Sequence, residues 1–364
     1  MKAAIVGGGT GGHVIPALAI ARELCERYSA QIIFVGTSRG IETRLVPQAG
    51  FPLHLVQVGQ LKNVSLTRRV RTLIDIPRAV FACRKLFADF RPQVVIGVGG
   101  YASGPGMLAA ILMRIPTLAF EPNLVPGFAN RMVARFVSAA AVHFEGTKRF
   151  FRNAVVTGVP VRQEFFQIPE RPFSPHGALL VFGGSQGARV LNQTMTDAIP
   201  KWKELGIQIR HQTGERDFEK VDSAYKRAGF PAQVSRFIDD MPSAFSEADL
   251  VLCRSGASTV GEITAAGKPA IFVPFPFAAD DHQRKNAKAL EKAGAGRLIP
   301  EAELTPERLM VAVADLLRNP AALAEMSSRA RRLSHPNAVA QIGEMAAKLA
   351  NTQQGTEDSR RDSL

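Results

Sequence analysis

Residues Gly7, Gly8, Gly9, Thr10, Gly11, Gly12 and His13 combine five glycines, a hydroxyl and an imidazole in seven positions. The apolar run Ala3–Val6 precedes them and the amphipathic run Val14–Leu24 follows, which predicts strand, loop and helix. Glycine lets the backbone come close to a ligand and take positive φ. A helix start offers unpaired N–H groups and the positive end of its dipole to an anion. The chemistry this suits is phosphate or diphosphate binding. His13 falls in the first turn, where the dipole disfavours imidazolium, as a general base requires. Two more glycine loops follow predicted strands: Gly97–Pro105, which contains Gly100, Tyr101 and Ser103, and Gly183–Gly187, which contains Ser185. One glycine suffices for a turn, whereas three such loops provide cradles for two substrates that each carry a diphosphate.

A second template fits the first loop. Gly7, Gly9 and Gly12 satisfy the dinucleotide pattern, which expects a carboxylate at the end of the second strand to hold a ribose. The predicted strand Gln31–Val35 is followed by Gly36, Thr37, Ser38 and Arg39, with no carboxylate. Arg39 suits a 2′-phosphate, but the other two loops have no place in a nicotinamide or flavin oxidoreductase.

Further along, Cys253–Glu262 follows an apolar run, and Ser255, Ser258 and Thr259 suit a helix start that binds phosphate. Glu262 lies one turn into that helix, where a carboxylate can accept two ribose hydroxyls or simply favour the helix start. In the loop Pro274–Gln283, His282 and Gln283 suit sugar contacts, with Asp280 or Asp281 as a plain helix cap.

The elements that must position these residues alternate regularly. Predicted strands are Lys2–Val6, Gln31–Val35, Leu53–Val58, Val94–Gly97, Thr117–Phe120, Ala139–Val142 and Val155–Thr157, then Ala178–Phe182, Ile207–His211, Gln233–Phe237, Leu250–Cys253, Ala270–Val273 and Gly296–Ile299. Helical patterns separate most of them, so the fold class is α/β, with two parallel sheets covered by helices. The boundaries read 1–160 and 161–335, then a helix over 336–350 and a polar, disordered tail over 351–364. Ligands bind outside the carboxyl ends of such strands, so two units would turn their loops to one cleft.

The net charge is +13 over 364 residues. Residues 1–160 hold 19 Lys and Arg against 7 Asp and Glu, whereas 161–364 hold 26 against 25. A basic first half implies a polyanionic partner: a phosphorylated substrate, an anionic membrane or nucleic acid. Interleaved aromatics and a recognised nucleic-acid module are missing, so nucleic acid is not expected. Three dispersed cysteines suit a reducing compartment. No signal peptide and no span of membrane length is expected. The stretch Ser65–Phe90 mixes Leu66, Val70, Leu73, Ile76, Val80 and Phe81 with Arg68, Arg69, Arg71, Arg78, Arg84 and Lys85, a composition that suits a helix lying at a membrane interface. No Asp-x-Asp occurs, so neither a metal nor another cofactor is expected.

The segments GGGTGGHVIPALA, GVGGYASGP, EPN, GVPVR, GGSQGARVLNQ, FIDDM, CRSGASTVGE and DDHQRKNA follow one another in this order. Together they closely resemble the MurG family, the undecaprenyldiphospho-muramoylpentapeptide β-N-acetylglucosaminyltransferases of peptidoglycan synthesis, over roughly Met1–Ala350. The resemblance implies the GT-B fold of two Rossmann-like domains, an N-terminal acceptor and membrane domain and a C-terminal donor domain. It implies inverting transfer of N-acetylglucosamine from UDP-N-acetylglucosamine to the 4-hydroxyl of the muramoyl lipid intermediate lipid I, giving lipid II, at the cytoplasmic face of the bacterial inner membrane. Carried over by motif, the donor contacts fall on Thr10, Gly11, Gly12, Asn123, Arg162, Ser185, Ile238, Ala257, Ser258, Thr259, Val260, Gly261, Glu262 and Gln283. Ile238 would meet uracil through its backbone and Glu262 the ribose. The acceptor diphosphate would meet the first and third loops, near His13, Gly100, Tyr101 and Ser103. His13 is the candidate base and Glu121 the second choice. Two departures stand out. Relatives often read His-Glu-Gln-Asn where this chain has Phe120–Asn123, and asparagine where it has Val159.

Overall fold

The computed structural model describes residues 1–58, 66–170, 172–173, 177–184 and 186–361, with side chains described outside 66–74 and 353–361. The chain divides into two compact units, Met1–Pro160 with Asn337–Leu364, and Val161–Pro336.

In the first unit the order is β1 (Lys2–Val6), α1 (Gly11–Tyr28), β2 (Gln31–Gly36), α2 (Glu42–Gln48), β3 (Leu53–Leu55), α3 (Leu66–Phe90), β4 (Val94–Gly97), α4 (Ser103–Leu112), β5 (Thr117–Glu121), α5 (Phe128–Val133), β6 (Ala139–Val142) and β7 (Ala154–Val156). Among the described residues these strands form one parallel sheet in the order β3-β2-β1-β4-β5-β6-β7. Strands such as β4 are buried along their whole length, because helices cover both faces. Side chains alternate between those faces. Ala3 and Ile5 join one core with α1, while Ala4 and Val6 join the other with α3 and α4. Strand order reverses between β1 and β4, where Ala4 pairs with both Ile33 and Val95. The loops after β1 and β4 therefore leave the sheet side by side.

The second unit runs α6 (Gln163–Phe166), β8 (Ala178–Phe182), α7 (Arg189–Asp197), α8 (Ile199–Leu205), β9 (Gln208–Gln212), α9 (Phe218–Arg227), β10 (Gln233–Ser235), α10 (Met241–Glu247), β11 (Leu250–Cys253), α11 (Ala257–Ala266), β12 (Ala270–Phe272), α12 (His282–Lys292), β13 (Arg297–Leu298), α13 (Pro306–Leu317) and α14 (Pro320–Arg332). Its parallel sheet has the order β10-β9-β8-β11-β12-β13, with the reversal between β8 and β11. Trp202, Tyr225 and Leu191 fill its core against β8 and β9.

The last helix, α15 (Ala338–Arg361), belongs to the first unit. Ile342, Ala346 and Ala350 are buried in the same core as Ile5 and Leu24. The helix runs on past residue 350 to Arg361. Once a helix is docked, each further residue adds a hydrogen bond without a new nucleation cost. Strand β3 stops at Leu55 rather than Val58 because its partner edge ends at Gly36.

Candidate functional site

In the first unit the loops after β1 and β4 are in direct contact. Gly8 N–H donates to the Gly99 carbonyl at 3.1 Å. A Cβ on Gly7 would lie 2.2 Å from the Gly99 oxygen, and one on Gly100 would lie 2.1 Å from the Gly8 oxygen. Gly7 and Gly100 also hold φ of 139° and 84°, so only glycine fits this junction.

His13 lies in the first turn of α1, over this junction. Its Nδ1 is 3.1 Å from the Gly8 carbonyl and 3.3 Å from Thr10 Oγ1. A carbonyl only accepts, so in the neutral ring Nδ1 carries the proton and Nε2 holds the lone pair. The loop after β4 leads into α4, whose first residue is Ser103. Its hydroxyl is fully buried and has no hydrogen-bond partner among the described residues. Thr10, Gly11, Gly12, Gly100 and Tyr101 share this end of the unit, and Tyr101 is exposed.

Glu121 ends β5 and is buried. One carboxylate oxygen accepts from Asn123 N–H at 3.0 Å and Asn123 Nδ2 at 3.1 Å; the other accepts from Gly127 N–H at 2.9 Å and Asn130 Nδ2 at 3.0 Å. Burial raises its pKa, and these four hydrogen bonds oppose the rise. Its geometry is that of a brace for the 121–130 segment, which holds Asn123 in place.

The second unit repeats the design. Gly183–Gly187 follows β8, and Ser185 lies outside the described residues. Gln212, at the end of β9, donates to the Gly184 carbonyl at 3.1 Å and accepts from Ile238 N–H at 2.9 Å. One buried amide thus ties the glycine loop to the segment expected to meet uracil. The sequence reading missed Gln212, because only the pairing of β9 with both β8 and β10 brings the three segments together.

Helix α11 starts beyond β11 at Ala257, and Ser258 Oγ is a second buried hydroxyl without a partner among the described residues. Thr259, Val260 and Gly261 complete its first turns. Glu262 follows, partly buried. Desolvation pushes its carboxyl up to about 7, against the opposing charge of Arg162. Arg162 precedes α6 and stacks over Phe165 at 5.2 Å. Ser255 Oγ donates to the Gln283 carbonyl at 2.9 Å, and Gln283 Oε1 accepts from Phe275 N–H at 3.0 Å. Gln283 therefore closes the 274–283 loop onto the start of α11. Arg254, also unassigned from sequence, holds the same loop from behind through the Val273 and Pro274 carbonyls and pairs with Glu301. Asp281, at the N-cap of α12, makes no side-chain cap bond. It and Asp280 take positive φ, and the Asp281 carboxylate lies 3.8 Å from Arg284.

Residue 65 and the side chains of 66–74, including Arg68, Arg69 and Arg71, lie outside the described residues. Beyond them, Val80 belongs to the core and Ile76 packs against it, whereas Phe81 is 71% exposed beside Arg78, Arg84 and Lys85. The expected apolar face of α3 is thus partly core. Exposed apolar side chains continue on the neighbouring α4 and α5 and just beyond them: Leu108, Leu112, Phe128, Met132 and Phe136.

Two parallel α/β units, each with a glycine loop and a helix start at the carboxyl ends of its strands, give the two-domain architecture of the GT-B class. The chain belongs to glycosyltransferase family 28, matching that family's N-terminal domain over residues 3–142 and its C-terminal domain over 178–342. It is 45% identical over 363 residues to the UDP-N-acetylglucosamine--N-acetylmuramyl-(pentapeptide) pyrophosphoryl-undecaprenol N-acetylglucosamine transferase of Anaeromyxobacter dehalogenans, covering 98% of this chain and 95% of the relative. The transferase of the same name from Solibacter usitatus is 44% identical over 350 residues, 95% of each chain. The crystal structure of Acinetobacter baumannii MurG matches with a TM-score of 0.81 and 34% identity, over 95% of this chain and 99% of that one. The resemblance carried by the ordered motifs therefore holds.

Proposed function

We propose that this chain transfers N-acetylglucosamine from UDP-N-acetylglucosamine to the 4-hydroxyl of the muramoyl sugar of lipid I, forming lipid II with inversion. The observation that carries this reading is the pair of matched helix starts, α4 and α11, each with a buried serine hydroxyl that lacks a partner among the described residues. Buried polar atoms are nearly always hydrogen-bonded, so such hydroxyls suit bound anions. Two of them, one in each unit, fit a reaction in which donor and acceptor both carry a diphosphate.

In the reaction the acceptor oxygen forms a bond to the anomeric carbon as the bond from that carbon to UDP breaks. The hydroxyl proton goes to His13 Nε2, whose lone pair follows from the Nδ1–H bond to Gly8. Glu121 is better suited to bracing Asn123, since its oxygens already accept four hydrogen bonds. The leaving diphosphate gains charge, which the N-terminus of α11, Ser258 and Arg162 would stabilise. Glu262 would accept from the ribose, and the Ile238 carbonyl from uracil N–H.

The acceptor's polyprenyl tail keeps the reaction at a membrane. Among the described residues no helix is long and apolar enough to cross one. The exposed apolar residues of α3, α4 and α5, flanked by Arg78, Arg84, Lys85, Arg131 and Arg135, suit peripheral docking on an anionic leaflet.

The test is a product assay with UDP-N-acetylglucosamine and a soluble lipid I analogue. Wild type should form the disaccharide product, and His13→Ala should lower turnover by about 10²–10⁴-fold with UDP affinity unchanged. No product, despite tight UDP binding, would reduce the chain to a nucleotide-sugar binder. A loss below about tenfold in His13→Ala would place the base elsewhere.

A further inference from the structure

The dinucleotide pattern expects a ribose-binding carboxylate just after β2, and none occurs in Gly36–Arg39. The fold nevertheless brings one there from six residues past the strand. Glu42, the first residue of α2, is 1% exposed. Its Oε2 accepts from Gly9 N–H at 2.7 Å, and its Oε1 accepts from Thr37 N–H and Thr37 Oγ1, both at 3.0 Å. The surrounding glycines fit its shape. A Cβ on Gly8 would lie 2.5 Å from the carboxylate carbon, and one on Gly36 would lie 2.7 Å from Cγ. This carboxylate faces the inside of the loop and is engaged by three protein donors.

The Gly9 N–H belongs to the same peptide group as the Gly8 carbonyl. In a trans peptide the two point in opposite directions. One side of this peptide is held by Glu42 and the other accepts the Nδ1 proton of His13. Glycine lies on both sides of the peptide, at φ of 148° and 95°, so local sterics do little to stop it from turning over. A turned peptide would present N–H to His13 Nδ1, place the ring proton on Nε2 and remove the lone pair from the atom that needs it.

We propose that Glu42 is a positioning residue for the transfer reaction: by fixing the Gly8–Gly9 peptide it selects the His13 tautomer that can accept the acceptor's proton. This rests on His13 being the base, and the test separates the two claims. Glu42→Gln keeps size and shape. The Gln oxygen can satisfy the two Thr37 donors, but its NH2 then opposes Gly9 N–H and favours the turned peptide. Glu42→Asp withdraws the carboxylate without adding a donor.

The measurement is ring 15N NMR on protein labelled at histidine, with the His13 signals assigned from His13→Ala. It is made at about pH 8.5, above the ordinary imidazole range. Wild type should show a pyridine-type Nε2 and a pyrrole-type Nδ1. Glu42→Gln should invert that pattern and Glu42→Asp should give a mixture. Turnover should fall about a hundredfold and about tenfold respectively, while UDP affinity stays within twofold. Thr37→Val, which leaves the Gly9 bond in place, should keep the wild-type pattern and turnover within threefold. A wild-type His13 spectrum in both Glu42 variants overturns the proposal, whatever their activity. An altered spectrum with unchanged turnover upholds the control of the tautomer and refutes its place in the reaction. If His13→Ala retains turnover, the base assignment fails and the spectra still decide whether Glu42 sets the ring.

Discussion

Glu262 is an acid whose surroundings work against its charge. Its carboxyl is pushed up to about 7 by desolvation. The ionised form is the one that can accept two ribose hydroxyls, so UDP affinity should rise from pH 6 to pH 8, through the value of about 7. Calorimetry across that range checks it, and Glu262→Gln should flatten the profile. Glu262→Ala should weaken UDP-N-acetylglucosamine by roughly 1.5–3 kcal/mol, the scale of a hydrogen bond to a charged group. Unchanged affinity would remove the residue from the site. The same shift affects folding with a definite sign. A carboxyl with a raised folded-state pKa stabilises the fold fully below about 4.5, and that contribution is lost as pH rises through about 7. Glu262 thus costs stability at the pH where it would serve binding.

At the scale of elements, the contact between the loops after β1 and β4 is backbone on backbone and leaves no room for a side chain at Gly7 or Gly100. Gly100→Ala should abolish turnover and lower the melting temperature, because its methyl meets the Gly8 carbonyl and positive φ penalises alanine as well. A melt and an activity assay together test this, and wild-type behaviour in both would contradict the junction. The glycine loops and all the strands were legible in the sequence. Short β-branched runs ending in glycine admit few other readings, as Val94–Gly97 illustrates. What stayed hidden were side chains that bond to backbone across loops: Glu42, Gln212 and Arg254. Their partners are N–H and carbonyl groups of segments distant in sequence, and no local pattern marks a backbone group as a partner. Glu42 left a faint trace in Gly36 and Gly40, which leave space beside it. Val80 was misread because one helical stripe of apolar residues looks alike whether it meets a core or a lipid.

Over the whole molecule, the charge asymmetry read along the sequence carries over to the two units. The unit of residues 1–160 and 337–364 carries 22 Lys and Arg against 11 Asp and Glu, and the unit of 161–336 carries 23 against 21. The basic unit also bears the exposed apolar side chains of α3, α4 and α5. Co-sedimentation with anionic vesicles should therefore be salt-sensitive, and Arg84→Glu, Lys85→Glu and Arg135→Glu combined should largely abolish it. Each cation near such a surface contributes about 1 kcal/mol. UDP affinity should not change. Pelleting equal to wild type would clear this face of a docking role and leave the excess charge to the acceptor's diphosphate.

The return of α15 to the first unit has a consequence for how the protein is made. Ile342, Ala346 and Ala350 complete the core around Ile5 and Leu24, yet they leave the ribosome after all of Val161–Pro336. The second unit is one continuous segment and can close its core while the first still lacks a wall. During that interval the apolar groove beside α1 is open to chaperones or to another nascent chain. Residues 161–336 made alone should fold and bind UDP, whereas residues 1–160 alone should aggregate unless 337–364 is supplied in trans. Ile342→Ala, at about 2–5 kcal/mol for a buried truncation, should lower the yield of soluble full-length protein most when synthesis is fast.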